Sequence, residues 1–353
     1  MLSRPAKRDL RAQSVEQWAE YLEGLGQPRY RAQQLFDWLW VKNAERIEDM
    51  SNLPKALRAQ LEADFSYHKL AIAHRLQSAD GTLKYGFRLW DGKLIEGVLI
   101  PSAHGVTACI SSQVGCSLDC TFCATGYLRL QRNLEAYEIY EQVALLRTEA
   151  QAAFGEPLSH VVYMGMGEPL LNYRNVLLSI EKVTRPEGLG MSPRRLTLST
   201  SGIAKQIVRL ADDGLKTEFA LSLHSAREAL RAQIMPISLS NPLSELVPAL
   251  VYFYEKTGTR VTYEYVLLDG VNDGPEDVEA LIDFSRHIPC KVNLIEYNPI
   301  AEADYRPSRE ARTRAFEGRL AQAGVLVTLR RSRGKDIDGA CGQLALRHLP
   351  AAG

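Results

Sequence analysis

From Val106 onward the sequence alternates between strand-like and helix-like segments, and this limits the fold more than any other feature. Strand-like runs occupy residues 106–112, 160–166, 195–201, 217–224, 260–268, 291–298 and 325–331. Helix-like segments lie between most of them, at 134–149, 175–183, 243–256, 275–286 and 308–323. Repeated β-then-α units with connections of this length predict a parallel sheet with helices covering its outside. Six or seven such units are fewer than a closed eight-stranded barrel requires. The expected fold is therefore α/β: an open, partial β/α barrel with its chemistry at the C-terminal strand ends.

Two smaller regions precede the barrel. Residues 14–66 read as helical: Ser14 suits a helix cap before Val15, and Pro28 suits the first turn of a second helix. That second helix carries the apolar stripe Leu35, Phe36, Leu39 and Trp40, which reads as core. A third helix is expected over 53–65. Between Leu70 and Ile100, Asp80-Gly81 and Asp91-Gly92 are hairpin signals separating three strand-like runs. The expected division is a helical domain over 1–69, a β-hairpin segment over 70–101, the barrel over 102–340 and a C-terminal loop and tail over 341–353. Glu96 is the anomaly: a carboxylate amid Leu94, Ile95, Val98 and Leu99 is costly to bury unpaired. The plainest explanation is an edge strand with Glu96 facing water.

No apolar run is long enough to span a bilayer, and residues 1–13 lack a hydrophobic signal core. A cytoplasmic chain without a membrane partner is expected. Net charge is zero, with 42 basic and 42 acidic residues, unlike many nucleic-acid-binding domains. Basic residues nevertheless cluster: Arg4, Lys7, Arg8 and Arg11 at the start, and Arg330, Arg331, Arg333 and Lys335 near the end. Charge runs of this kind are usually solvated surface.

Four of the six cysteines fall between positions 109 and 123, which points to metal or redox chemistry rather than a disulfide framework. Cys116, Cys120 and Cys123 form a CxxxCxxC triplet just after the first barrel strand. Structural zinc takes four ligands, and His104 or Cys109 would be available as the fourth. The alternative is a cubane iron–sulfur cluster held by three thiolates. Such clusters normally use four, so one iron would remain open to a ligand.

The triplet resembles the signature of the radical S-adenosylmethionine enzymes, and later strand ends extend the likeness. Gly165-Met166-Gly167-Glu168-Pro169 resembles their GEP element, in which backbone groups and Glu168 take the methionine ammonium. Ser199 ends the next strand, where a hydroxyl would meet the ribose. Ser222-Leu223-His224 and Asn298 end later ones. Further motifs, MGMGEPLLN, LTLSTSG, GVND and RRSRGKDIDGACGQL, are similar to those of the RlmN group of RNA adenine methyltransferases. YRAQQLFDWLW resembles that group's helical N-terminal domain, so the likeness runs essentially end to end.

The resemblance implies a [4Fe–4S] cluster on Cys116, Cys120 and Cys123. It also implies S-adenosylmethionine contacts from Gly167, Glu168, Ser199, Ser222, Leu223, His224 and Asn298, with two such molecules consumed per turnover. C2 of adenosine is electron-poor and will not attack an electrophilic methyl group, so the family uses a radical route. In the implied relay the Cys341 thiolate takes a methyl group, which loses a hydrogen atom to the cofactor radical and adds to C2. Cys109 then attacks the Cys341 sulfur, forming a transient disulfide and releasing the RNA. Glu96 matches the family's proton acceptor, with its basicity raised by desolvation. Gly339, Ala340 and Gly342 suggest a mobile, exposed loop for Cys341; Cys290 matches no catalytic role and reads as structural.

The implied partners are 23S rRNA and tRNA, plus an external electron donor such as a flavodoxin-type protein; a monomer is expected. The two basic clusters are candidates for the RNA footprint. Two segments depart from the pattern. Tyr127–Arg132 lacks the family's Gly-Phe pair, and Leu221–Ser225 is nearer the sister Cfr group, which methylates C8. Against Cfr stand Pro169 and the Arg331-Ser332-Arg333-Gly334 run, which favour C2. A rival of another class is a non-catalytic iron–sulfur redox or RNA-binding protein.

Overall fold

The structure is a computed structural model that describes residues 7–346; Arg4 and the tail 347–353 lie outside it. Helix α1 (Val15–Gly24) starts at Ser14, whose hydroxyl accepts from Gln17 N at 3.2 Å while the Gln17 side chain accepts from Ser14 N at 2.9 Å. That reciprocal cap satisfies two otherwise unpaired amides. Helix α2 (Arg31–Phe36) begins beyond Pro28 and widens into a π turn over Asp37–Val41, and α3 (Lys55–Asp64) follows. Leu35, Phe36, Leu39 and Trp40 are buried as core, with the Trp40 ring edge-on to Tyr140 at 5.0 Å.

Strands β1 (Ala71–Gln77), β2 (Leu83–Arg88) and β3 (Leu94–Ser102) form an antiparallel meander that turns at the two Asp-Gly pairs. Strand β4 (Gly105–Cys109) pairs antiparallel with β3, and a two-residue ribbon, β5 (Gln113–Val114) with β6 (Arg132–Asn133), closes the cysteine loop. The chain then alternates. Its first half runs α4 (Ala136–Phe154), β7 (Leu158–Tyr163), α5 (Tyr173–Thr184), β8 (Leu196–Thr200), α6 (Ala204–Asp212) and β9 (Glu218–Ser222). Next come α7 (Glu228–Ile234), α8 (Leu243–Thr257), β10 (Val261–Leu267), α9 (Pro275–Ser285), β11 (Cys290–Glu296), α10 (Glu310–Gln322) and β12 (Val327–Arg330). Helices α6 and α7 were not anticipated; α7 is too short to display a period.

Among the described residues ten strands form one sheet in the order β1-β2-β3-β4-β7-β8-β9-β10-β11-β12, parallel from β4 onward. The sheet ends at β1 and β12 without closing, so the barrel is open and partial. The hairpin segment is thus a continuation of the barrel wall. This overturns the edge-strand reading of Glu96. Strand β3 is paired on both sides, and Glu96 is fully buried. Its charge is met by Lys84, whose Nζ lies 2.7 Å from Oε1.

The helical domain is pinned to the barrel by buried ions. Arg11 donates to Asp9, to Glu141 of α4 and to the His68 carbonyl. Glu141 also accepts from Leu70 N at 2.7 Å and pairs with Lys69 at 2.8 Å. Arg11 therefore cannot contribute to an RNA footprint: its charge is spent inside the protein.

Candidate active site

The C-terminal ends of the parallel strands surround a cavity of about 980 Å³, its open mouth included. Cys116, Cys120 and Cys123 line it. The loop bearing them is held from two directions. Thr121 N donates to Ile234 O of α7 at 3.0 Å, and the Thr121 hydroxyl meets the Tyr305 hydroxyl at 2.9 Å. Across the mouth, Ala124 N donates to Gly342 O at 2.7 Å and the Thr125 hydroxyl to Leu344 O at 2.7 Å.

The donor set fits a cluster better than a single metal ion. All three thiols are free. Burial pushes Cys116 up to about 12 and raises Cys120 and Cys123, and the sulfurs disfavour one another's ionisation. Thiolates so desolvated need a strongly cationic partner, which a bound cluster supplies. A zinc knuckle would need four ligands converging on one point. Among the described residues no group of three or more His, Cys, Asp or Glu does so. His104 sits exposed in the β3–β4 turn, and Cys109 faces elsewhere. Three thiolates on three different irons of a cubane need no such convergence.

The remaining wall is polar and partly unsatisfied. Gly167 has φ +96°, and a Cβ there would lie 2.5 Å from the Gln113 side chain. Only glycine lets the turn approach so closely, while Gln113 Oε1 accepts from Glu168 N at 2.8 Å. The Glu168 carboxylate accepts from Leu170 N, the Thr200 hydroxyl at 2.7 Å and Ser201 N at 2.7 Å, joining the ends of β7 and β8. The hydroxyls of Ser199 and Ser222 lie 3.5 Å apart at the mouth. Val266 N donates to His224 Nδ1 at 3.0 Å, so the ring proton sits on Nε2. Burial pulls this histidine down to about 3, keeping it neutral. Asn298 Oδ1, Tyr297 Oη and Glu264 Oε2 are buried without hydrogen-bond partners, and all three residues line the cavity. Unsatisfied groups of that kind suit a polar ligand. Leu223 is the exception among the expected contacts: it packs in the core, outside the cavity lining, with its N–H given to Glu264 O.

A second chamber adjoins the first, lined by Cys109, Cys341, Arg330, Val98 and Ile100. Cys123, Met164, Gly165, Arg330 and Cys341 belong to both walls. Residues far apart in sequence, Cys109 at the end of β4 and Cys341 on the C-terminal loop, thus face one space. Burial pushes the Cys109 thiol up to about 12, reinforced by repulsion from Cys341 and opposed by the Arg330 charge. The Cys341 loop is less exposed than expected. Cys341 is half-buried, Asn298 Nδ2 donates to its carbonyl at 3.2 Å, and Gln343 Nε2 donates to Pro299 O.

Glu96 shares a face of β3 with Val98 and Ile100 but is not among the residues that line the chamber. Lys84, its partner, also donates to Asp338 O at 3.0 Å, linking the carboxylate to the Cys341 loop. Arg330 is a further correction, since it turns inward while Arg331 pairs with Glu310 and Lys335 with Glu296. Glu264 escaped sequence reasoning. Its signal was the one that exposed Glu96, a carboxylate inside an otherwise apolar strand.

Two family models match the chain: the radical SAM superfamily over residues 110–285, and a ribosomal RNA large subunit methyltransferase N-terminal domain over 8–66. A protein of Cytophaga hutchinsonii described as "Probable dual-specificity RNA methyltransferase RlmN" is 49% identical over 343 residues, covering 97% of this chain and 94% of its own. One of the same description from Flavobacterium johnsoniae is 50% identical over 339 residues, covering 96% and 97%. A crystal structure of a radical SAM methyltransferase from Sphaerobacter thermophilus superposes with a TM-score of 0.89 at 40% identity, covering 96% of this chain and 99% of that one.

Proposed function

The chain belongs to the RlmN family of radical S-adenosylmethionine RNA methyltransferases, and from that footing we propose that it methylates C2 of adenosine in two RNAs. These are the peptidyl-transferase region of 23S rRNA and the position beside the tRNA anticodon. Enzymes of this family work with a [4Fe–4S] cluster and S-adenosylmethionine. Cys116, Cys120 and Cys123 would hold the cluster. Glu168, Ser199, Ser222, His224 and Asn298, with the Gly167 backbone, would hold the sulfonium ligand. When bound, the two supply an organic radical able to take hydrogen from a methyl group.

The observation that carries the reading is the shared wall between the three-thiol cavity and the chamber of Cys109 and Cys341. Cys341, belonging to both, can receive a methyl group on one side and present it to a base on the other. The Arg330 charge, beside both thiols, favours the thiolate form of Cys109. The Cys341 S-methyl carbon, one hydrogen atom short, forms a carbon–carbon bond to C2, so that an S–CH2–C2 bridge tethers the RNA and the ring's unpaired electron passes back to the one-electron redox partner. The Cys109 thiolate then attacks the Cys341 sulfur, forming a disulfide as the S–CH2 bond breaks, and the released carbon takes up a proton to become the C2 methyl group. Glu96, ion-paired with Lys84, accepts the C2 proton. The adenosine must leave its stack to enter. A flavodoxin-type protein supplies the electron, and the chain acts as a monomer in the cytoplasm, where both RNAs reside.

The test is anaerobic reaction of the reconstituted protein with rRNA and tRNA, followed by mass spectrometry of the nucleosides. 2-Methyladenosine from both RNAs is expected. 8-Methyladenosine would assign the Cfr-type reaction, and unmodified RNA alongside 5′-deoxyadenosine release would overturn the choice of substrate.

A further inference from the structure

One buried cation is not used by the relay. Arg231, in α7, is fully buried. Its Nε donates to Leu223 O at 3.0 Å, Nη1 to the Ser238 hydroxyl at 2.6 Å, and Nη2 to Ser201 O at 2.7 Å and Ser222 O at 3.3 Å. Every acceptor is uncharged. A guanidinium so enclosed is expensive unless an opposite charge compensates it. The Cys120 sulfur, once ionised as a cluster ligand, is the opposite charge that bears on it most, ahead of the exposed Glu228 on the same helix. The same positive charge helps keep His224 neutral. Burial lowers Arg231 to about 10, which still leaves it charged at neutral pH.

The neighbouring side chains aim at the same place. Ile234, and Leu230 beside it, pack in one apolar cluster with Cys116, Leu118, Cys120 and Phe122. The three accepting carbonyls belong to residues at or just beyond the ends of β8 and β9, the two strands that supply Ser199 and Ser222. A cluster on three thiolates is anionic, and one-electron reduction makes it more so. A fixed positive charge in a low-dielectric wall therefore favours the reduced form.

We propose that Arg231 is the built-in counter-charge of the iron–sulfur site, raising the cluster's reduction potential while its hydrogen-bond fork fixes the strand ends around the cofactor. It is a positioning and electrostatic residue, not one that touches substrate. The inference rests on the reading that Cys116, Cys120 and Cys123 bind a [4Fe–4S] cluster.

The experiment uses the full chain loaded anaerobically with iron and sulfide, as wild type, Arg231→Gln and Arg231→Lys. Iron content, melting temperature and the midpoint potential of the one-electron couple, followed by electron paramagnetic resonance, are measured. In Arg231→Gln the oxidised-to-reduced ratio at a fixed ambient potential is expected to rise about tenfold, a negative shift of about 59 mV. Arg231→Lys, which keeps the charge and loses the fork, is expected to stay within about twofold of wild type. A fully loaded Arg231→Gln at the wild-type potential overturns the proposal, as does a lysine variant shifted as far as the glutamine one. Should Arg231→Gln fail to fold or load, the lysine variant decides: a wild-type potential upholds the proposal and a tenfold negative displacement overturns it. A wild-type chain that takes up no iron defeats the cluster reading instead.

Discussion

The three-thiol cavity and the two-cysteine chamber share a wall, yet they are assembled by different means. The cavity draws most of its lining from consecutive strand ends, β7 through β11, and the loop after β4, with Arg330, Cys341 and Gly342 shared with the chamber. Each contribution is a short motif in barrel order. The chamber draws on β3 of the antiparallel extension, the last residue of β4, the end of β12 and the C-terminal loop. The first is what a parallel α/β sheet offers wherever its strands end. The second exists because three antiparallel strands prolong the sheet at one side and the C-terminal loop folds across the mouth. Cofactor chemistry thus sits on the repeating part of the fold, and the proposed methyl transfer on its additions.

Substitutions can separate the two regions. The largest effect is expected from Cys120→Ala, which removes one of three thiolates and should abolish iron binding and methylation together, as iron analysis and nucleoside mass spectrometry would record. Cys341→Ala should also abolish product, but with wild-type iron content and no covalent protein–RNA adduct. An iron deficit there would mean that the regions are not separable. Cys109→Ala should stop within its first turnover, releasing no methylated RNA and retaining the RNA on the protein through denaturing electrophoresis. Continued turnover would remove Cys109 from the relay. Glu96→Gln should retain iron and slow methylation about 10²–10⁴-fold, the usual contribution of a positioned base, once rates are normalised to folded protein. That normalisation matters because Lys84 is left buried beside a neutral amide.

The same division governs what could be read from the sequence. The cavity was legible because ligands for one cluster or one small molecule must follow the strand order, so spacing carries the information. Cys116, Cys120, Cys123, Gly167, Glu168 and Asn298 all line the space anticipated for them. The Leu223 side chain packs in the core beside that space, with its N–H given to Glu264 O. The chamber has no such grammar. Nothing local joins Cys109 to Cys341; only the resemblance paired them. Arg330 was taken for surface because it stands among exposed arginines, although strand alternation turns it inward. Glu96 stood out as an oddity, but its compensating partner Lys84 lies on the adjacent strand, visible only once β2 and β3 are in register. Arg231 left no signal at all: one arginine in a seven-residue helix reads as solvated.

The pH dependence of the release step probes the comparison most finely. In the chamber, burial and the neighbouring Cys341 push the Cys109 thiol up to about 12, with Arg330 acting in the opposite direction. The attacking species is the thiolate. Its fraction therefore grows about tenfold for each pH unit as long as the pH stays well below that value. Breakdown of a preformed RNA adduct, isolated from the steps that need the cluster, should accelerate with a slope near one between about pH 7 and 9. The cavity thiols are equally buried, but once they ligate iron they are deprotonated whatever the pH, so cluster absorbance should stay constant over that range. A release rate that levels off near neutrality would mean that Arg330 outweighs burial and that Cys109 is already ionised. Arg330→Met should then restore the slope, with a loss of about a hundredfold or more in thiolate fraction at pH 7.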